Sequence, residues 1–308
     1  MSGRELVVLG TASQVPTRTR AHNGYLLRWD GDRVLVDPGE GTQRQLLLAG
    51  LSAAHVDRVC LTHGHGDHCL GLPGIVQRRL LDGATTPLDL HYPAAAAPVV
   101  EGLLAATGPA AQTVRRHPVD PPPPGGTVVA RTPRWTLSAH ALDHRVPAVA
   151  WRFAEPDGVR FDPAALTAAG ISGPAVGRLA AEGVLEVAGR QVRVEEVSVR
   201  RRGQVVAVVM DTRPCAGAVE AARDADLLVC EATFLARDAE LADAYAHCTA
   251  AQAAGIARDA GAHRLLLTHF SQRYGDDGGP FEDEARAVFP DAGAARDLDV
   301  VALPARRG

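Results

Sequence analysis

Short apolar runs alternate with stretches of helical spacing along this chain. Runs at residues 6–9, 25–29, 34–37, 59–62, 88–92, 135–139, 149–153, 205–210, 227–231 and 265–268 predict strands. Apolar positions spaced at three and four predict helices over 42–49, 72–81, 94–106, 217–223, 249–260 and 281–288. One run, Val205-Val206-Ala207-Val208-Val209-Met210, has no polar position at all, so that strand must be buried on both faces. Strands come first and mixed elements later, which fits an α/β fold of two sheets packed face to face with helices outside, a four-layer αββα arrangement. Between Phe153 and Val205 the alternation gives way to Gly/Pro-punctuated text such as Gly170-Ile171-Ser172-Gly173-Pro174. That stretch reads as an insertion, over about 154–204, within a single domain covering 1–308.

The polar residues of interest fall at the ends of the apolar runs. After Val59-Cys60-Leu61 comes Thr62-His63-Gly64-His65-Gly66-Asp67-His68, which crowds three imidazoles and a carboxylate into one short loop. Neutral imidazole binds borderline-soft divalent ions well, and so many bulky polar groups cannot be packed together without partners. His63 and His65, two apart, point to one side of an extended chain, while the glycines let the backbone turn so that Asp67 and His68 face a second metal position. Three further ends extend the loop: Asp211 closes the run from Val205, His269 closes Leu265-Leu266-Leu267-Thr268, and His144 follows the stretch from Trp135. His140 competes with His144, since both lie near the same strand end. Asp37, between a strand and a Gly-rich turn, either orients a metal-ligating histidine or caps the helix near Thr42. His22, His55, His91, His117 and His263 have no comparable context and read as surface or satisfied structural residues.

Composition changes this picture little. The chain has 308 residues, 46% hydrophobic and 22% charged, enough for a substantial core. No apolar stretch reaches membrane-spanning length, and the N-terminal residues lack the charged-then-apolar layout of a signal peptide, so a cytoplasmic location is expected. Five scattered cysteines indicate neither a disulfide framework nor a Cys-ligated zinc. The formal net charge of −4 runs against binding driven by phosphate contacts. Every basic residue is arginine, however, with clusters at Arg18/Arg20, Arg78/Arg79, Arg115/Arg116 and Arg200 to Arg202. Arginine's planar fork matches phosphate oxygens, so a local basic face on an acidic chain remains open, although a solvated surface is the default for each cluster.

The loop His63-Gly64-His65-Gly66-Asp67-His68 resembles the signature of the metallo-β-lactamase superfamily, and the surrounding text resembles the ribonuclease Z family, the short tRNA 3′-processing endonucleases. Leu9-Gly10-Thr11, Asp37-Pro38-Gly39-Glu40-Gly41-Thr42, Gly71-Leu72-Pro73-Gly74 and His144-Arg145-Val146-Pro147 carry the likeness, as do Asp211-Thr212-Arg213-Pro214, Glu231-Ala232-Thr233-Phe234 and Thr268-His269-Phe270-Ser271-Gln272-Arg273-Tyr274. The match spans nearly the whole chain in order. Cys230, Cys248 and Ala150 depart from the family text, which has histidine, serine and glycine there; none is an expected metal ligand.

The resemblance implies a metallo-β-lactamase sandwich holding two Zn2+ per subunit, with Mn2+ or Mg2+ as alternatives. One ion would be held by His63, His65 and His144, the other by Asp67, His68 and His269, with Asp211 bridging. Two divalent ions roughly 3.5 to 4 Å apart can share a hydroxide and neutralise charge on a phosphorane-like transition state. His247, ahead of the helix near Thr249, resembles the family's catalytic histidine, with Glu231 orienting it and Asp67 accepting a proton from the attacking water. Ser271 and Arg273, beside His269, suit contacts to a substrate phosphate. The insertion, with Gly173 and Pro174 as implied substrate contacts, resembles a protruding arm that grips the body of tRNA, the arm of one subunit serving its partner in a homodimer. Here it carries Arg160, Arg178, Arg190 and Arg193 against several acidic residues. The implied activity is zinc-dependent cleavage of precursor tRNA on the 3′ side of the acceptor stem. The alternative is a superfamily phosphodiesterase or sulfatase acting on small esters, which would not need the arm.

Overall fold

The apolar runs assemble into two sheets of seven strands each. In the computed structural model, which describes residues 3–303, the first sheet runs Val300–Ala302, Glu5–Gly10, Gly24–Trp29, Asp32–Val36, Arg58–Cys60, Leu88–Pro93 and Val114–Val119 in spatial order. Residues 1–2 and 304–308, the ends of the domain expected over 1–308, lie outside the described residues. Side chains alternate between the two faces of each strand. Val7, Leu9, Leu26, Leu35, Val59 and Leu90 share one cluster with Leu46, Ile75, Val76, Val100 and Leu104 of the helices Thr42–Leu48, Leu72–Leu81 and Ala97–Ala105. The alternate positions Leu6, Val8, Tyr25, Leu27, Val34 and Val36 are just as buried on the other face. There the Tyr25 hydroxyl meets Thr268 of the second sheet, and the His91 ring sits edge-on to Trp151, 6.3 Å between centroids.

The second sheet runs Ala292–Ala294, Leu265–Thr268, Leu227–Glu231, Val205–Val209, Ala148–Ala154, Thr136–Leu142 and Thr127–Arg131. Its first four strands are mutually parallel, and the helices Ala216–Ala222, Ala250–Asp259 and Gly279–Arg286 pack against it. The αββα order expected from the sequence is therefore the order found. Within these two sheets four strands were not expected, 114–119, 127–131, 292–294 and 300–302, and all four are sheet edges. An edge strand pairs on one side only, so it tolerates text that a central strand cannot: Val114–Val119 carries exposed Arg115 and Arg116 and the proline Pro118.

Residues 133–135 and 154–204 form a second compact unit. Far from irregular, it contains the helices Pro163–Ala168 and Pro174–Glu182 and two antiparallel strand pairs, Gly158–Phe161 with Ser198–Arg201 and Val184–Val187 with Arg190–Arg193. Ala188 and Gly189 turn the second pair with φ of 50° and 78°, the left-handed values that a two-residue hairpin of right-handed twist requires. The Asp162 carboxylate accepts hydrogen bonds from the backbone of Ala164 and Ala165 and caps the first helix. Ile171, Leu179, Val192 and Val197 form a small core of its own.

Two arginines assigned by sequence to surface clusters are instead internal. Arg20 donates to Thr11 Oγ1 and to the carbonyl of Asp276, and Arg79 donates to the carbonyls of Ala54, Val56 and Thr86. Both are nearly fully buried, so their guanidinium groups tie loops together and do not form part of a basic face.

Candidate metal centre

Parallel strands deliver their carboxyl ends to one edge of a sheet, where loops leave for the helices and ligands usually bind. Here Arg58–Cys60 leads into the His63 loop, Val205–Val209 into Asp211, Leu227–Glu231 ends on Glu231, and Leu265–Thr268 precedes His269. A single helical turn, Gly66–Cys69, sets Asp67 and His68 inward after the extended His65. The side chains converge on Asp211. His269 Nε2 lies 3.1 Å from its carboxylate, His68 Nε2 3.3 Å, His63 Nε2 3.6 Å, His144 Nε2 3.7 Å and His247 Nε2 3.9 Å. Two groups of potential ligand atoms, His63/His65/His144/Asp211 and Asp67/His68/His269, each lie within 4.8 Å of one another, and Asp211 also groups with His247 and His269.

The outer ring nitrogens of His63, His68, His144 and His269 are tied down, and this fixes which nitrogen has a free lone pair. His68 Nδ1 donates to Asp37 Oδ2 at 2.8 Å, His144 Nδ1 to the carbonyl of Ala246 at 2.9 Å, and His269 Nδ1 to Thr233 Oγ1 at 2.7 Å. The Thr62 hydroxyl donates to Asp37, so it accepts from His63 Nδ1 at 3.1 Å. Protons held on Nδ1 leave the Nε2 lone pairs pointing inward, the arrangement that metal-ligating histidines show. Asp37 therefore orients His68 and Thr62; it does not cap the helix Thr42–Leu48, whose N-cap residue is Gly41. His269, Asp37 and Ala246 all have positive φ, at 64°, 47° and 58°. Non-glycine residues held there are strained by about 1–3 kcal/mol each, and such strain concentrates at functional sites.

The donor set fits metal cations. His63 Nε2 and His65 Nδ1 are 2.9 Å apart, too close for two lone pairs with nothing positive between them. One oxygen of Asp211 is buried without a hydrogen-bond partner. Burial opposes a charge on His68, yet Asp211, Asp67 and Asp37 outweigh it and raise its pKa well above that of an ordinary histidine. Burial likewise opposes ionisation of Asp211, and His269 and His68 outweigh it to hold the carboxyl far below its usual range. The centre thus demands positive charge, which protons or divalent cations can supply.

Behind the ligands lies a proton-holding pair. His247 Nδ1 is 2.9 Å from Glu231 Oε1, and Glu231 is fully buried, accepting also from the backbone of Thr212 and from the backbone and hydroxyl of Thr233. Burial disfavours the imidazolium, but Glu231 and Asp211 reverse this and raise the His247 pKa to about 9. Thr249, two residues on, forms a capping box with Gln252, so His247 is delivered by a helix start as well as held by a carboxylate. Thr233 escaped notice in the sequence: its hydroxyl donates to Glu231 and accepts from His269, coupling the pair to the ligand set. The signal was present, since Glu231 and Thr233 stand two apart and so share a side.

A cleft of about 240 Å3 opens over the centre, lined by His65, Asp67, Asp211, His247 and His269 together with Ser271 and Arg273. Arg145, Phe234 and Tyr245 also line it, and the sequence had given them no role. His140 lies elsewhere, within the strand Thr136–Leu142 beside Ser138 and under Gly126, so His144 alone of the two competitors reaches the cluster. Gly173 and Pro174 stand at the start of the helix Pro174–Glu182 in the second unit.

Two facing sheets in αββα order, with a histidine-rich loop at the strand ends, define the metallo-β-lactamase fold. The description of the metallo-beta-lactamase superfamily matches residues 17–155. The ribonuclease Z of Thermobifida fusca (strain YX) is 52% identical over 312 aligned residues, covering 100% of this chain and 97% of its own. That of Streptomyces coelicolor (strain ATCC BAA-471 / A3(2) / M145) is 51% identical and covered completely on both sides. The crystal structure of the short form of human tRNase Z superposes with a TM-score of 0.69 at 22% identity, over 97% of this chain and 99% of that one. The chain belongs to the ribonuclease Z family.

Proposed function

We propose that the chain is a metal-dependent endoribonuclease that removes the 3′ trailer from precursor tRNA. The observation that carries this reading is the convergence of imidazole Nε2 atoms on Asp211, within 3.1 to 3.9 Å, with the His247–Glu231 pair behind them. Full-length identity of about half to ribonucleases Z supports the substrate. His63, His65 and His144 would hold one zinc ion and Asp67, His68 and His269 a second, with Asp211 shared and Mn2+ or Mg2+ as substitutes. When bound, such ions supply Lewis acidity that brings the pKa of water towards neutrality and offsets charge on the phosphoryl oxygens.

The chain's own groups handle protons and position. Asp67 accepts the proton of the attacking water. His247, protonated on both nitrogens at neutral pH, gives its Nε2 proton to the 3′ oxygen as the bond from phosphorus to that oxygen breaks. Glu231 keeps hold of Nδ1 and stabilises the imidazolium until then. The products are a 3′-hydroxyl on the tRNA and a 5′-phosphate on the trailer. Ser271 and Arg273 at the rim contact the phosphate, and the unit containing Gly173 and Pro174 grips the body of the tRNA in a homodimer. The expected setting is the cytoplasm; no helix among the described residues is long and apolar enough to cross a membrane.

The test compares cleavage of precursor tRNA with that of a bis-aryl phosphate ester. Turnover of the small ester alone would sink the tRNA assignment. His65→Ala should abolish precursor cleavage while tRNA binding persists, and undiminished cleavage would sink the metal mechanism.

A further inference from the structure

Four side chains at the mouth of the cleft are arranged in a stack that hydrolysis itself does not require. The Arg145 guanidinium lies over the Tyr245 ring at 5.4 Å. The Tyr245 and Phe234 rings are within 12° of parallel with centroids 6.4 Å apart, and Arg273 lies over Phe234 at 5.3 Å. Phe234 is buried and anchors the stack, whereas Tyr245 is 46% exposed. With Tyr245 nearly half exposed and Phe234 offset from it at 6.4 Å, part of the tyrosine ring is open to a flat ligand.

The charges point the same way. Arg213 nearby is paired with Asp143 and Asp243. Arg145 and Arg273 are exposed, and among the described residues neither has a carboxylate within ion-pair distance. An exposed aromatic ring between two uncompensated guanidinium groups has the chemistry of a single-stranded nucleotide site, with a base on the ring and flanking phosphates on the arginines. Its position selects the nucleotide. Tyr245 stands two residues before His247, and the Phe234 ring is 6.0 Å from the His247 ring. His247 faces the leaving 3′ oxygen, so a base stacked beside it belongs to the nucleotide on that side of the scissile bond.

We infer that Tyr245, backed by Phe234 and flanked by Arg145 and Arg273, is a stacking platform for the unpaired nucleobase of the nucleotide whose 3′ oxygen leaves. This rests on the ribonuclease reading above. Every base has a π face, so the platform tolerates all four bases and responds to the loss of any base at all.

The experiment uses the metal-loaded enzyme and two precursor tRNAs, one intact and one abasic at that nucleotide. With wild type, kcat/KM falls about tenfold on the abasic precursor, within the range for one base–aromatic stack. Tyr245→Phe keeps that preference. Tyr245→Leu, at the half-exposed end of the helix Ala239–Tyr245, loses about tenfold on the intact precursor and little more on the abasic one. A wild type indifferent to the missing base, or a Tyr245→Leu enzyme that still discriminates as wild type does, overturns the platform and leaves the ribonuclease reading standing. A wild type that cleaves neither precursor overturns both.

Discussion

Two groups of histidines occur in this chain, and they use their ring nitrogens in opposite ways. At the strand ends the Nδ1 atoms of His68, His144 and His269 are committed to oxygen acceptors, and their Nε2 atoms converge on Asp211. On the first sheet His91 and His117 stack with centroids 4.5 Å apart and planes 14° from parallel. There the Nε2 of His91 accepts from Arg58, and the Nε2 of His117 is 2.8 Å from Asp89. The neighbours differ in sign. Burial and then Arg58 push the His91 pKa down to about 3, whereas at His247 burial is outweighed by Glu231 and Asp211 and the pKa rises to about 9. Histidine density is therefore a poor marker of a metal site; the direction of the lone pairs and the charge beside them decide it.

Asp211→Asn breaks the difference most severely, because the carboxylate is shared by every inward-facing imidazole. Precursor cleavage should fall by well over about 100-fold, beyond what loss of an outer hydrogen-bond partner does, and bound metal measured by elemental analysis should fall with it. His117→Ala on the other cluster should leave cleavage unchanged; a comparable loss there would mean the two groups are not distinct. Glu231→Gln ranks next. It removes the charge that keeps His247 protonated, and the expected loss in kcat is about 100-fold, the low end for a positioned acid. Asp37→Asn loosens only His68 and Thr62 and should weaken metal binding by roughly tenfold in a chelator titration, with activity recovered in excess metal.

Much of this contrast was legible in the sequence, for identifiable reasons. His63 to His68 are contiguous, and Asp211 and His269 close apolar runs, so strand-end logic finds them. The choice between His140 and His144 was not legible from periodicity. The strand continues to Leu142, beyond the expected end at 139, which leaves His140 inside the sheet and carries His144 past it. The edge strands were missed because solvent satisfies one side of them, and the second unit was read only as an insertion because its strands are four residues long and have a single buried position among them, Val192. Arg145, in a loop, and Tyr245, at the end of the helix Ala239–Tyr245, come to the site only through folding, and nothing local marks either.

The pH profile sharpens the same comparison at smaller amplitude. His247 carries a raised pKa, and in the proposed mechanism it donates a proton, so its contribution is complete at neutral pH and is lost as pH rises through about 9. Above that point kcat should drop about tenfold per pH unit. In Glu231→Gln the limb should move to lower pH, since the anion that raises the pKa is gone. A profile flat through pH 10 would remove His247 as the donor.

His91 gives the mildest and most separable test, one of stability rather than rate. Its folded pKa of about 3 lies below the ordinary value of 6.5, so on acidification the unfolded chain takes up a proton that the folded chain refuses. The stabilisation is complete above pH 6.5 and is lost as pH falls towards 3, at about 1.4 kcal/mol per unit, or about 2 kcal/mol between pH 6.5 and pH 5. Glutamine can still accept from Arg58 through its side-chain oxygen but cannot take up the proton. Denaturant unfolding of wild type and His91→Gln at pH 7 and pH 5 should therefore show a smaller acid-side loss in the variant, by about 2 kcal/mol. Groups in the metal centre also titrate, but they are common to both proteins and cancel in the difference between them. Equal acid sensitivity would mean that His91 is protonated as readily when folded as when unfolded, and the opposition drawn between the two histidine groups would fail on that side.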